Sequence, residues 1–378
     1  MINEIYVFFG PDSGFDSLIE DRGVNDGISV GLLEAIRVYD TKIRATRYAA
    51  EGMFDEMPER ADNCIARASD FGSVLSHTVS NFAGVVSQAF EIDKLLVQNP
   101  PARALRSLVS MYGENEVNVV HHKYHVLEKS DLPGVYKKLT EGVLGQKNSK
   151  KSLITELYKL LVMSDEKPAT VLFLGPSGVG KTETARCLSS ALGGELTRIQ
   201  FSMMQTSEAY DYLFGAEHSK ASFARDLLGR ESNIILVDEF DKVQPTLYNM
   251  FYQLFDEGRY VDTNYDVDMR NGLFLLTSNY PSVRAAKKAL GNAMFSRIDA
   301  CITFDDLSNE DKITIAERRY QEILERLDEG DSTTIESSDI LEWFRQNASR
   351  YDNMRTMKNK LDKAIFEKLF NLIIERQV

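Results

Sequence analysis

Apolar residues recur along this chain in two rhythms, and the rhythm changes twice. Between about residues 130 and 305 they come as short continuous runs: Val171-Leu-Phe-Leu174, Leu196-Thr-Arg-Ile-Gln-Phe201, Ile234-Ile-Leu-Val237, Leu273-Phe-Leu-Leu276 and Ala300-Cys-Ile-Thr-Phe304. Runs of this length, with helix-like stretches between them, predict buried parallel strands in an α/β sandwich. From about residue 307 the pattern reads as helical throughout. One helix begins at Asn309-Glu-Asp-Lys312, Gly330-Asp-Ser332 marks a turn, and a long amphipathic helix runs from Leu361 to Gln377.

The first 125 residues read differently. Glu4-Ile-Tyr-Val-Phe-Phe9, ended by Gly10-Pro11, predicts a strand and a turn. From about Ser29 to Leu96 the spacing of Leu32, Leu33, Ile36 and Val38, with few breakers, predicts mainly helix. Asn99-Pro100-Pro101 stops it, and Val117-Asn-Val-Val120 is a candidate strand. The expected organisation is a mostly helical N-terminal domain (1–125), an α/β domain (126–305) and a small helical domain (306–378).

Composition narrows the partners. A chain of 378 residues, 43% of them hydrophobic, can bury two or three cores. Its formal net charge of −13 and the lack of a dense Lys/Arg stripe fit poorly with binding nucleic acid. The N-terminal region carries around half of that charge, which reads as a solvated surface or, more sharply, a partner-docking face. Cys64, Cys187 and Cys301 form no CxxC pair, so neither a disulfide framework nor a zinc site is expected. The cluster His121-His-Lys-Tyr-His125 lacks the further ligands a metal centre wants. No leader pattern opens the chain, and no apolar run approaches the ~20 residues that span a bilayer. The expectation is a cytoplasmic chain with no membrane partner.

Candidate chemistry begins with Gly175-Pro176-Ser177-Gly178-Val179-Gly180-Lys181-Thr182, which fits G-x-x-x-x-G-K-[ST] between an apolar strand and a helix running from Thr182 to Leu192. Glycines let successive backbone N–H groups face phosphates, and the helix start adds its positive end. Lys181 supplies a cation for the β- and γ-phosphates, Thr182 a hydroxyl for Mg²⁺, and Glu183 follows beside the nucleotide. Ile234-Ile-Leu-Val-Asp238-Glu239 supplies the second half: Asp238 ends a buried strand where it can hold Mg²⁺, and Glu239 is the candidate to polarise the attacking water. These residues point to ATP with Mg²⁺ and to hydrolysis.

From about Leu139 to the C-terminus the chain resembles the Clp-type AAA+ unfoldases, most closely their second ATPase module. The resemblance rests on the motifs above and on Leu139-Thr-Glu-Gly-Val-Leu-Gly-Gln146, Gln253-Leu-Phe-Asp-Glu-Gly-Arg259, Met269-Arg-Asn271, Thr277-Ser-Asn279 and Phe295-Ser-Arg297-Ile-Asp299. It implies an AAA+ large α/β domain with a helical lid. By that match Val143 and Leu144 flank adenine, Asn279 is the sensor that positions water, and Arg297 is an arginine finger reaching a neighbouring subunit's nucleotide. Arg355, in Asn353-Met-Arg355-Thr-Met-Lys358, stands where the lid carries a second sensor. The family also implies a homo-oligomeric ring, usually a hexamer, acting on a protein.

One family feature is missing. Clp unfoldases grip polypeptide with an aromatic-Val-Gly loop between the P-loop helix and the Walker B strand. Here that stretch reads Tyr212-Leu-Phe-Gly-Ala-Glu-His-Ser-Lys-Ala-Ser-Phe223, which keeps the Leu-Phe-Gly-Ala lead-in and loses the grip. Phe223 reads as a core residue of the next helix; a displaced pore aromatic is the alternative. Trp343 and Phe344 read as lid core. Two functions therefore compete: a ring that remodels or unfolds a protein, and an ATP-dependent switch or scaffold in a multi-protein bacterial system, anti-phage defence being one example. A nucleic-acid motor fits poorly, with Lys220 and Arg225 as its only nearby basic candidates.

Overall fold

The computed structural model describes residues 2–24, 27–48, 59–163, 167–201 and 206–375. Two parallel five-stranded sheets, each with helices on both faces, are followed by a helical bundle. Among the described residues no helix is long and apolar enough to cross a membrane.

The N-terminal unit corrects the expectation of a mostly helical domain. Its centre is a parallel sheet of β1 (Glu4–Phe9), β2 (Ser29–Gly31), β3 (Glu59–Ala66), β4 (Phe90–Gln98) and β5 (Val117–His121), in the order β2-β3-β4-β1-β5. Strands β2, β3 and β4 all fall in the stretch read as helix. The reason is physical. β3, ERADNCIA, buries small residues (Ala61, Asn63, Cys64, Ala66) where a strand signal needs β-branched or aromatic ones. β4, FEIDKLLVQ, opens with charges at Glu91, Asp93 and Lys94 before its apolar run. Residues 49–58 of that stretch lie outside the described residues.

Among the described residues five helices flank this sheet: α1 (Asp12–Asp21), α2 (Leu32–Tyr48), α3 (Ser76–Ser80), α4 (Phe82–Ala89) and α5 (Ala102–Tyr112). The alternation of β1 sorts them. Tyr6 and Phe8 pack with Phe15, Leu18 and Ile19 of α1 on one face. Ile5 and Val7 pack on the other face with Ala104 and Leu108 of α5 and with residues of α2 and α4.

The second sheet follows the expected runs: β6 (Ala169–Leu174), β7 (Thr197–Gln200), β8 (Ile234–Asp238), β11 (Leu273–Thr277) and β12 (Ala300–Thr303), in the order β12-β6-β11-β8-β7. The central strands β6, β8 and β11 are apolar almost throughout because both faces are covered, whereas the edge strand β7, Thr-Arg-Ile-Gln, buries only Ile199. Leu172, Leu174, Ile235 and Val237 face one core; Val171, Phe173, Ile234 and Leu236 face the other. The helices are α6 (Leu132–Gly142), α7 (Lys147–Val162), α8 (Lys181–Ala191), α9 (Thr206–Phe214), α10 (Phe223–Leu228), α11 (Tyr248–Glu257) and α12 (Val283–Phe295). A hairpin, β9 (Arg259–Val261) with β10 (Asp266–Asp268), follows α11.

The C-terminal bundle comprises α13 (Asn309–Leu324), α14 (Glu329–Glu336), α15 (Ile340–Asn347) and α16 (Met354–Glu375), around a core that includes Tyr320, Phe344, Met357 and Leu361. Ser308 caps α13 through its hydroxyl, which accepts from the Asp311 amide. Three expectations change here. Gly330 lies inside α14, not in the turn, because the Asp328 side chain caps that helix two residues earlier. Trp343 is half-exposed at 49%, and only its neighbour Phe344 enters the core. The final helix also begins at Met354, earlier than Leu361; Gln377 lies outside the described residues.

Candidate functional site

Parallel strands place their following loops at one edge of a sheet, and register decides which loops meet. β11 lies between β6 and β8, pairing Thr277 with Phe173 and Leu276 with Val237. The loop after Leu174, the Asp238-Glu239 pair and Asn279 therefore converge on one crevice. The C-terminal bundle closes it with Arg318, Arg319, Met354, Arg355 and Lys358. The resulting cleft has a volume of about 910 Å³.

The first wall is the glycine loop. At Gly175 the backbone has φ +125°, and a Cβ there would lie 2.2 Å from the Phe304 carbonyl oxygen. That atom is backbone at the end of β12 and cannot step aside, so only glycine fits. Gly178, at φ +84°, is approached by Asn353 and the Met354 amide of the bundle, which brings the lid onto the loop. α8 starts at Lys181, directly after the loop.

Lys181 is buried and folds back across the loop. Its Nζ donates to the carbonyls of Gly175 (2.5 Å) and Pro176 (2.7 Å) and reaches Asn279 Oδ1 at 3.4 Å. Burial pushes its ammonium down to about 8 from the usual 10.5, against the pull of Asp241 and Asp238.

The opposite wall is a compact network. Buried Asp238 accepts from Arg198 Nε at 3.0 Å and Nη2, and from the Thr277 hydroxyl. The same Thr277 oxygen accepts from the Glu239 amide at 2.9 Å. Glu239 sits in the left-handed region at φ +55°, ψ +45°. A non-glycine residue there costs on the order of 1 kcal/mol, and such strain clusters at functional sites.

Val143 is buried and Leu144 half-buried, and both line the cleft. Their segment is held by its ends: buried Lys150 donates to the Val143 carbonyl, while Gln146 donates to Asp305 O (2.6 Å) and accepts from Asp305 N (3.2 Å). On the lid, Arg319 pairs with Asp362 through two bonds of 2.8 and 2.6 Å, tying α13 to α16.

The cleft thus brings together Val143, Leu144, Ser177, Gly178, Val179, Gly180, Lys181, Thr182, Glu183, Asp238, Glu239, Asn279 and Arg355. Gly175 and Pro176 contribute through their carbonyls. Arg297 does not line it. That side chain pairs with Asp256 Oδ2 at 2.9 and 2.6 Å and lies over the Tyr252 ring at 4.3 Å. Sequence reasoning missed Arg198, Thr277 as a bridge, and the lid cations Arg318, Arg319 and Lys358. Arg198 alternates with the inward residues of a predicted strand, so only pairing with β8, which sets Gln200 opposite Asp238, reveals it.

Phe223 is fully buried in a cluster of Phe201, Tyr212, Phe251 and Tyr260, a core residue of the kind expected.

Residues 166–329 match the family described as "AAA domain (Cdc48 subfamily)". The chaperone protein ClpB of Tropheryma whipplei (strain TW08/27) is 28% identical over 234 residues, 54% of this chain and 33% of that relative. A ClpA homolog protein of Fuscovulum blasticum is 31% identical over 217 residues, 50% of this chain and 27% of its own. ClpB of Clostridium tetani is 26% identical over 356 residues, covering 82% and 41%. The chain spans from about a quarter to two-fifths of the length of these relatives.

Proposed function

The ATPase module of this chain is of the Clp-type AAA+ family, and on that premise we propose that it binds ATP with Mg²⁺, assembles into a ring and spends hydrolysis on remodelling a protein partner. One observation carries the catalytic part: a glycine loop, a buried Lys181, the Asp238-Glu239 pair and Asn279 face one crevice with the lid cations opposite. The donors for a metal are the Thr182 hydroxyl and the Asp238 carboxylate, hard oxygens that suit Mg²⁺ with water and phosphate completing its shell. When bound, the ion neutralises charge on the phosphates.

The chain's own residues do the rest. Backbone amides of Gly178 to Thr182 and Lys181 hold the phosphates, and Val143 and Leu144 flank the base. Asn279 and Glu239 orient a water. Glu239 takes its proton as the water oxygen attacks the γ-phosphorus and the bond to ADP breaks. Thr277 fixes the Glu239 amide and Asp238 together, so the base and the metal ligand share one anchor. Arg355 reaches the phosphates from the lid. Arg297, held by Asp256 outside its own cleft, is the finger for a neighbour's nucleotide. A cytoplasmic setting accords with this reading.

A second reading, an ATP-driven switch that recruits a partner without threading it, has one observation in its favour: the segment Gly215–Ser222 lies against the N-terminal domain. The Glu239→Gln form in ATP tests the shared claim. Light scattering should find a multi-subunit assembly, and a pull-down should retain a protein partner. A trapped form that stays monomeric contradicts the ring.

A further inference from the structure

The carboxyl ends of β1 and β4 lie side by side, yet the helices that follow them, α1 and α5, go to opposite faces. That divergence is a topological switch point, the position where parallel sheets open a ligand crevice. Here the crevice meets the chain's own ATPase module. The Ala102 amide, at the start of α5, donates to the Asn264 carbonyl at 2.7 Å. Asn264 is the turn of the β9–β10 hairpin and is 8% exposed. Its side chain donates to the Ala216 carbonyl at 2.9 Å, and the Thr263 hydroxyl to Phe214 and Gly215 at 3.0 and 3.2 Å. The segment after α9 is thus bound on one side to the hairpin.

Its other side is bound to the N-terminal domain. His218, 7% exposed, shares a 2.7 Å hydrogen bond between its Nε2 and the Val74 carbonyl beyond β3. Phe9 at the end of β1 packs against the ATPase core. Tyr124 stacks on Arg230 at 3.9 Å. That guanidinium is buried and donates to the carbonyls of Leu227 and Asp268 and to Asn233. A buried histidine and a buried arginine, each with its partners met, are interior features and not those of a loop free to take hold of something else.

We infer that Gly215–Ser222, the stretch that stands where Clp unfoldases grip polypeptide, serves in this chain as the tether for the N-terminal domain and stays docked through ATP turnover. The N-terminal domain then rides on the ATPase module as one body. Nucleotide-driven movement of the segment reaches a partner through that domain's surface. This rests on the ATPase reading only for its turnover clause.

Gly72→Cys with Ser219→Cys tests it in the full chain, since a Cβ at Gly72 would lie 4.0 Å from the Ser219 carbonyl. Peptide mapping should find the new disulfide both without nucleotide and in the Glu239→Gln background with ATP. In the pair made without Glu239→Gln, oxidation should leave phosphate release undiminished. A bond that forms only without nucleotide, or oxidation that stops hydrolysis while ATP still binds, overturns the inference. Should the double variant not fold, hydrogen exchange of the Ala102 amide in the unmodified chain decides. Protection retained on adding ATP supports docking, and exchange that rises with ATP refutes it. If the reduced protein neither binds nor hydrolyses ATP, the ATPase reading fails, while disulfide yield still reports the docking.

Discussion

Two loops that follow the strands and helices of the second sheet's domain have opposite fates in this chain. The loop after β6 is built open: glycines hold its backbone where side chains cannot go, and Ser177 to Thr182 line a cleft. The segment after α9, leading toward β8, is built shut. Its carbonyls at Phe214, Gly215 and Ala216 accept from the hairpin, and His218 is spent on Val74. The open loop keeps the whole motif of a nucleotide site; the shut one has lost the aromatic-Val-Gly of a polypeptide grip. The difference is one of surroundings: around the first loop Lys181 and Asp238 pair with their neighbours at the wall of an open cleft, whereas His218 of the second is paired in the interior.

The contrast breaks most sharply at Glu239. Glu239→Gln should cut phosphate release by about 10²–10⁴ while ATP binding, followed with a fluorescent analogue, persists. Hydrogen exchange at Ala102 should not change. Thr277→Val comes next, because it strips partners from both the Glu239 amide and Asp238. Losing a buried pair costs roughly 1–3 kcal/mol, so turnover should fall by about tenfold or more with the fold intact. Steady-state kinetics beside a thermal melt separates the two.

A pH titration has a smaller effect. Lys181 loses its proton near pH 8 in the empty cleft, below its usual 10.5. Phosphate oxygens favour the charged form, so ATP binding must take up a proton at any pH above about 8. Affinity should be flat below that and weaken above it, by up to about tenfold per pH unit. Calorimetry in two buffers reads the proton directly, and affinity unchanged to pH 9.5 contradicts the buried lysine. Smallest in its effect on turnover is His218→Ala. It should leave ATPase unchanged and loosen docking by about 1 kcal/mol, seen as faster exchange at Ala102.

How legible each region was follows from the same physics. The second sheet showed itself because parallel strands covered on both faces must be continuously apolar, as Ile234–Val237 and Leu273–Leu276 are. Cleft residues fixed by local backbone, Gly175 to Thr182, were equally plain. Residues that depend on pairing were not. Arg198 meets Asp238 only through the register of β7 on β8, and Thr277 bridges two strands. In the N-terminal sheet β1 and β5 were legible as apolar runs, whereas β3 was not, because Ala61, Cys64 and Ala66 carry no strand signal of their own. The missing grip was visible, but nothing in the letters of Gly215–Ser222 announced that His218 is buried against Val74.

Mixing two inactive forms tests the central claim, a hydrolytic site completed by a neighbour. On that claim Glu239→Gln would lack the base and keep Arg297, and Arg297→Ala would lack the finger and keep the base. Each alone should hydrolyse ATP poorly, and the mixture should recover turnover, because a complete site forms wherever one form's finger meets the other's cleft. No recovery on mixing, or an Arg297→Ala protein that hydrolyses ATP at the full rate, contradicts a site shared between subunits.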